Sequence, residues 1–81
     1  MEDELMIYDG NSDKVIDLIK YKMIDTRKQQ KDIIEYTGLN KGTVSNFLTY
    51  KSSNPTIDTL KMYCDAIGCD LIIDIVERNN T

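Results

Sequence analysis

Side chains suited to covalent or acid–base chemistry are scarce in this 81-residue chain. It has no histidine and only two cysteines, Cys64 and Cys69. Two thiols without a histidine lack the ligand set of a tetrahedral zinc site, and they are too few for a disulfide framework. No glycine-rich run resembles a phosphate loop, and no group of carboxylates is placed to share a pocket. A domain this small also leaves little room for a substrate cavity. The chain therefore reads as a non-enzyme, with no metal and no cofactor. Cys64 is expected in the core and Cys69 in the core or an interface.

Charge is the more informative chemistry. The net charge is −4, which on its face disfavours a nucleic-acid partner. Its distribution reverses that impression. Residues 1–19 carry −5, residues 20–51 carry +4 and residues 52–81 carry −3. The central block holds Lys20, Lys22, Arg27, Lys28, Lys31, Lys41 and Lys51. A phosphate responds to the local patch, because screening over about 10 Å at moderate salt limits how far the acidic flanks oppose it. Charge alone leaves open whether these cations are binding groups or ordinary solvated surface.

These groups must be positioned by helices. One proline and four glycines punctuate the chain, and isoleucine and leucine recur at spacings of three and four. A first helix is expected after an Asn11 or Ser12 cap, with Val15, Ile16, Leu18, Ile19 and Met23 inward, stopping near Ile24-Asp25. A second starts either after Thr26, which has capping-box spacing to Gln29, or at Gln29-Gln30. It points Ile33 and Ile34 inward and ends at Thr37-Gly38. Asn40 caps a third, from Lys41 to about Leu48, with Val44, Phe47 and Leu48 inward. Thr56 caps a fourth with Ile57, Leu60, Cys64 and Ile67 on one face, ended by Gly68. Residues 70–76 are rich in β-branched side chains and are expected to form a short strand. Leu5-Met6-Ile7-Tyr8 reads as a second short strand or a loose tail.

Helix, three-residue turn and helix over residues 30–49 is the arrangement of a helix-turn-helix reader. The segment from Gln30 through Phe47, followed by Ser53-Asn54-Pro55-Thr56-Ile57-Asp58-Thr59-Leu60, resembles the lambda-repressor and Cro superfamily of helix-turn-helix regulators. That group is also called the xenobiotic-response-element family. The resemblance covers roughly residues 14–68. The matching positions each have a physical role. Gly38 makes the turn, Leu39 anchors it, and Val44 and Phe47 brace the recognition helix. The chain departs from the pattern at Lys28, Gln29, Leu48 and Ile34. A small residue is usual at the place of Ile34, and the larger side chain is expected to spread the two helices or change their crossing.

The resemblance implies a mostly α fold: a four-to-five-helix lambda-repressor-like DNA-binding domain over residues 12–68, with a C-terminal strand at 69–77. Residues 1–11 and 78–81 are tails. It also implies a division of labour. Asn40, Lys41, Gly42, Thr43, Ser45, Asn46 and Thr49 are expected to face the major groove. Lys41 would donate to guanine and Asn46 would pair with adenine. Asn46 carries the strongest expectation, because asparagine is a poor mid-helix residue and needs a reason to be there. Arg27, Lys28, Gln30, Tyr50, Lys51 and Ser52 are expected at phosphates. Asn40 could equally be a cap alone, and the lysines could be solvated surface.

A strand after four helices needs a partner for its backbone groups. Leu71, Ile72, Ile73, Ile75 and Val76 are accordingly expected at a homodimer interface. An intrachain pairing with residues 5–8 is the alternative. Antitoxins that resemble this family often dimerise through such a strand. Two recognition helices about 34 Å apart would engage successive major grooves of a palindromic operator. The expected function is a cytoplasmic, dimeric repressor of phage-repressor, Cro-like or autoregulating-antitoxin type. The acidic ends also suit a second function, a helix-turn-helix scaffold that binds a protein such as a toxin. No stretch is long or apolar enough for a membrane span, and the acidic Met1–Glu4 is unlike a secretory signal.

Overall fold

The computed structural model describes residues 6–52 and 54–78. Four helices follow in order: α1 Ser12–Thr26, α2 Gln30–Thr37, α3 Lys41–Leu48 and α4 Ile57–Ala66. Each begins where local chemistry satisfies its first amide groups. Asn11 accepts from the Asp13 amide, Asn40 from the Thr43 amide and Thr56 from the Thr59 amide. For α2 the second of the two expected starts holds. Gln29 is the N-cap residue, and its amide donates to the Asp32 carboxylate at 2.7 Å. Thr26 instead lies in the last turn of α1, where its hydroxyl donates back to the Lys22 carbonyl. It therefore extends α1 beyond the expected stop at Ile24-Asp25.

The helices stop by the same backbone device with different residues. Gly38 and Gly68 take the left-handed conformation after α2 and α4, with φ of 77° at both. After α1 and α3 that conformation falls to Arg27 (φ 58°) and Tyr50 (φ 66°). The next amides close the turns: Lys28 onto the Met23 carbonyl at 2.9 Å, and Lys51 onto the Asn46 carbonyl at 2.8 Å. A side chain in that region crowds its own backbone, so these two stops are more costly than the glycine ones.

The core is a cluster of Ile16 and Ile19 from α1, Ile33 from α2, Val44, Phe47 and Leu48 from α3, and Tyr63, Cys64, Ala66 and Ile67 at α4. α2 packs on α3 and α4, and α1 packs on α3. Ile34 is only partly buried against this cluster, and α2 and α3 still meet. Two expectations about inward faces are corrected. Leu18 is exposed on α1, and Ile57, in the first turn of α4, is 61% exposed. The α4 stripe is Leu60, Tyr63, Cys64 and Ile67. Tyr63, beside Cys64 and one turn from Leu60 and Ile67, joins the buried stripe, while Ile57 in the first turn lies outside it.

The C-terminal strand is also corrected. Residues 69–78 have no regular secondary structure, and no strand occurs among the described residues. The physical reason is pairing: Met6–Tyr8 is exposed coil as well, so the described residues offer the tail no second strand. Leu5 lies outside the described residues. Leu71 packs partly onto the core of its own chain, while Ile72, Ile73, Ile75 and Val76 are exposed.

Candidate nucleic-acid interface

α3 is short, and three of its eight residues hold it to the core. Val44, Phe47 and Leu48 are buried. The Phe47 ring stacks on Tyr63, with centroids 3.8 Å apart and an interplanar angle of 14°. This brace from α4 was not read from the sequence, although the spacing of Tyr63 to Leu60 and Ile67 could have revealed it. With that face fixed inward, the opposite face turns outward. Lys41, Gly42, Thr43 and Asn46 are exposed, as are the flanking Asn40 and Thr49, and Ser45 is half-buried. The groups expected to meet base edges thus lie together on or beside one short helix.

Their hydrogen-bonding capacity differs. Asn40 spends its amide oxygen on the Thr43 N–H at 2.7 Å, which leaves its NH2 as the outward group. The Thr49 hydroxyl donates to the Ser45 carbonyl at 2.7 Å, so only its acceptor lone pairs remain. Asn46 makes no side-chain hydrogen bond among the described residues and keeps both donor and acceptor for a partner. Gly42 has ordinary helical room: an added Cβ would meet only Asn40 Oδ1, at 3.4 Å. The fold tolerates a side chain there, and the bare backbone leaves α3 open to close approach.

Of the expected phosphate groups, Gln30 touches the start of α3, and Lys51 and Ser52 lie just past its end. At its start, Gln30 Nε2 lies 3.4 Å from the Lys41 carbonyl and ties α2 to α3. Lys28 is two residues before Gln30, so its Cα lies within about 7 Å of the Gln30 Cα. Arg27, Lys28, Lys41 and Lys51 are all exposed, and none pairs with a carboxylate among the described residues. Lys31 of the same basic block, exposed on α2, shares these properties. At the far end, the Lys51 and Ser52 amides both donate to the Asn46 carbonyl, at 2.8 and 3.2 Å. The loop is thereby folded back onto the helix that carries the polar face.

Tyr50 behaves differently from the other expected phosphate groups. Its hydroxyl donates to the Asp17 carboxylate on α1. Lys20 Nζ lies 3.2 Å from the same oxygen and 4.6 Å from the ring centroid. The side chain is turned to α1.

The acidic flanks are partly neutralised elsewhere. Lys14 meets Asp9 at 2.6 Å, and the hydrogen bond from this ammonium holds the Asp9 carboxyl below its ordinary value. Lys61 meets Asp65 at 2.7 Å on α4, and that bond raises the Lys61 ammonium. Both pairs are solvent-exposed and contribute little to stability.

A compact helical domain with such an outward helix is the build of a small DNA-binding module. The comparison with known families agrees. Residues 19–80 match the Cro/C1-type HTH DNA-binding domain, and the chain belongs to that family. No curated protein and no solved structure matches the chain. No cluster of metal-binding side chains occurs among the described residues, and no described helix is long and apolar enough to cross a membrane.

Proposed function

We propose that the chain is a sequence-specific regulator of transcription, a homodimeric repressor that reads a palindromic operator through α3. The supporting observation is the exposed polar face of α3, with Asn46 uncommitted on it, Gln30 at its start and Lys51 just past its end. Asn46 and Lys41 read base edges; Thr43, Ser45, Asn40 and Thr49 complete the surface against the groove. Gly42 lets the backbone approach. Arg27, Lys28, Gln30, Lys51 and Ser52 hold phosphates and set the register.

The dimer rests on a separate observation. Ile72, Ile73, Ile75 and Val76 form an exposed aliphatic segment. Apolar surface of this kind marks an interaction site. A second copy is the occupant that also supplies the two-fold symmetry of a palindrome.

The test is the salt dependence of binding to duplex DNA. Each neutralised phosphate contributes about −0.9 to the slope of log K against log salt. Lys51→Ala should flatten the slope by about that much and weaken cognate and random duplexes equally. A second reading, protein binding on the same scaffold, is favoured by the exposed aliphatics and acidic flanks. A toxin-like partner would fit it. Absence of DNA binding by the wild-type chain at low salt would select that reading.

A further inference from the structure

The feature that phosphate binding leaves unexplained is Tyr50. It sits in the left-handed region at φ 66°, directly after the Thr49 C-cap of α3. Glycine takes that conformation at least cost, and does so at Gly38 and Gly68. At Tyr50 the side chain instead makes contacts across the fold, at the protein surface. The hydroxyl donates to Asp17, 33 positions earlier in the chain, and Lys20 caps both the hydroxyl and the ring. A phenol on a carboxylate is a charge-assisted bond, stronger than a neutral one, and an ammonium over an aromatic ring adds to it.

We propose that Tyr50, Asp17 and Lys20 form a clamp that sets the pose of the recognition helix, with Tyr50 as a positioning residue rather than a phosphate ligand. The inference rests on the DNA-binding reading above. Its mechanics follow from the hydrogen bonds on either side of Tyr50. The start of α3 is tied to α2 through Gln30 and the Lys41 carbonyl. Its end is tied to α1 through Tyr50. The residues after Tyr50 are carried along, because the Lys51 and Ser52 amides are bonded to the Asn46 carbonyl. One side chain therefore controls the tilt of α3 and the position of the Lys51–Ser52 phosphate contacts. Releasing it lowers the fraction of molecules in the binding-competent pose, and apparent affinity falls in proportion.

Asp17→Ala separates the clamp from a direct contact by sign. Removing a negative charge near DNA should raise affinity if Tyr50 is a phosphate ligand held back by Asp17. The clamp predicts the reverse, a fall of about tenfold if the competent fraction drops to about a tenth. Tyr50→Phe should fall by a similar factor, and the double variant should be no weaker than either single one. Asp17→Asn keeps an acceptor for the phenol and should bind close to wild type. Binding is compared at a temperature where circular dichroism shows every variant fully helical. Asp17→Ala binding as tightly as wild type, or more tightly, overturns the clamp while leaving the DNA-binding reading intact. A second readout needs no DNA: amide exchange at Lys51 and Ser52 should quicken in Tyr50→Phe while α4 amides stay protected. Unchanged exchange at both residues likewise overturns the clamp. Failure of the wild-type chain to bind any duplex would instead count against the function proposed above, and the exchange result would then decide the clamp alone.

Discussion

Asn46 and Arg27 show how single residues reveal their roles by what they cost. Asparagine weakens a helix interior, and here its side chain has no intramolecular bond to compensate among the described residues. Asn46→Ala should therefore leave the fold intact or slightly firmer while costing about 1–3 kcal/mol of affinity for the cognate site. Fluorescence anisotropy with cognate and random duplexes checks this. An equal loss on both would mean that Asn46 does not read bases. Arg27 ends α1 at φ 58°, where glycine would be less strained. Arg27→Gly is expected to gain up to about 1 kcal/mol in urea denaturation, since a left-handed side chain costs about that much. The same variant should weaken DNA binding and flatten the salt slope. Unchanged binding would show that Arg27 is a helix stop alone.

At the scale of elements, the caps carry much of the order. Asn40→Ala removes the acceptor for the Thr43 amide and should cost about 0.5–2 kcal/mol by thermal or chemical denaturation. Asn40→Ser keeps an acceptor and should retain most of that stability. Equal losses in both would assign Asn40 a role other than capping.

Such caps are also why the helices are legible in the sequence. Asn40 and Thr56 announce α3 and α4 because capping depends only on neighbours a few residues away. The inward set of α3 follows from its spacing for the same reason, and so does the turn at Gly38. What cannot be read this way depends on contacts across the chain. Two starts for α2 are locally acceptable, and the reach of α1 through Thr26 chooses between them. Ile57 and Tyr63 both lie three residues from Leu60, and only contacts across the chain, such as the stacking of Phe47 on Tyr63, show that Tyr63 is buried and Ile57 is not. The tail has the composition of a strand, but a strand needs a neighbour and the described part of the single chain supplies none. The outward face of α3 is recoverable from the resemblance. The tie from Tyr50 to Asp17 joins distant positions and has no local signature.

For the whole molecule, the tail and the core make separate predictions. The exposed aliphatics at residues 72–76 are expected to be covered in a dimer. Ile73→Asp places a charge on that surface, where burial without a partner is costly, and should convert dimer to monomer in sedimentation. A wild-type-like mass for the variant would place the interface elsewhere. The core should respond to alkali. Burial pushes the Tyr63 phenol above its ordinary value of 10.0 and the Cys64 thiol above 9.0; Cys69, Asp65 and Asp70 add to the rise at Cys64. Both groups keep their protons longer folded than unfolded. The stability they contribute is complete below pH 9.0 and is lost as pH climbs past the two unfolded values toward the raised folded ones. Urea midpoints that begin to fall as pH passes 9.0, and fall further beyond 10.0, are the expected result. A flat profile would mean that neither group is held neutral by the fold.

Selection of binding sites from a random duplex pool bears most directly on the account. The purified chain should enrich a two-fold symmetric sequence whose half-sites are centred about 10 base pairs apart, one turn of the double helix. Asn46→Ala should blur one position in each half-site. A pool that stays random at low salt, with no duplex retained, would contradict the assignment of α3 as a reader of DNA.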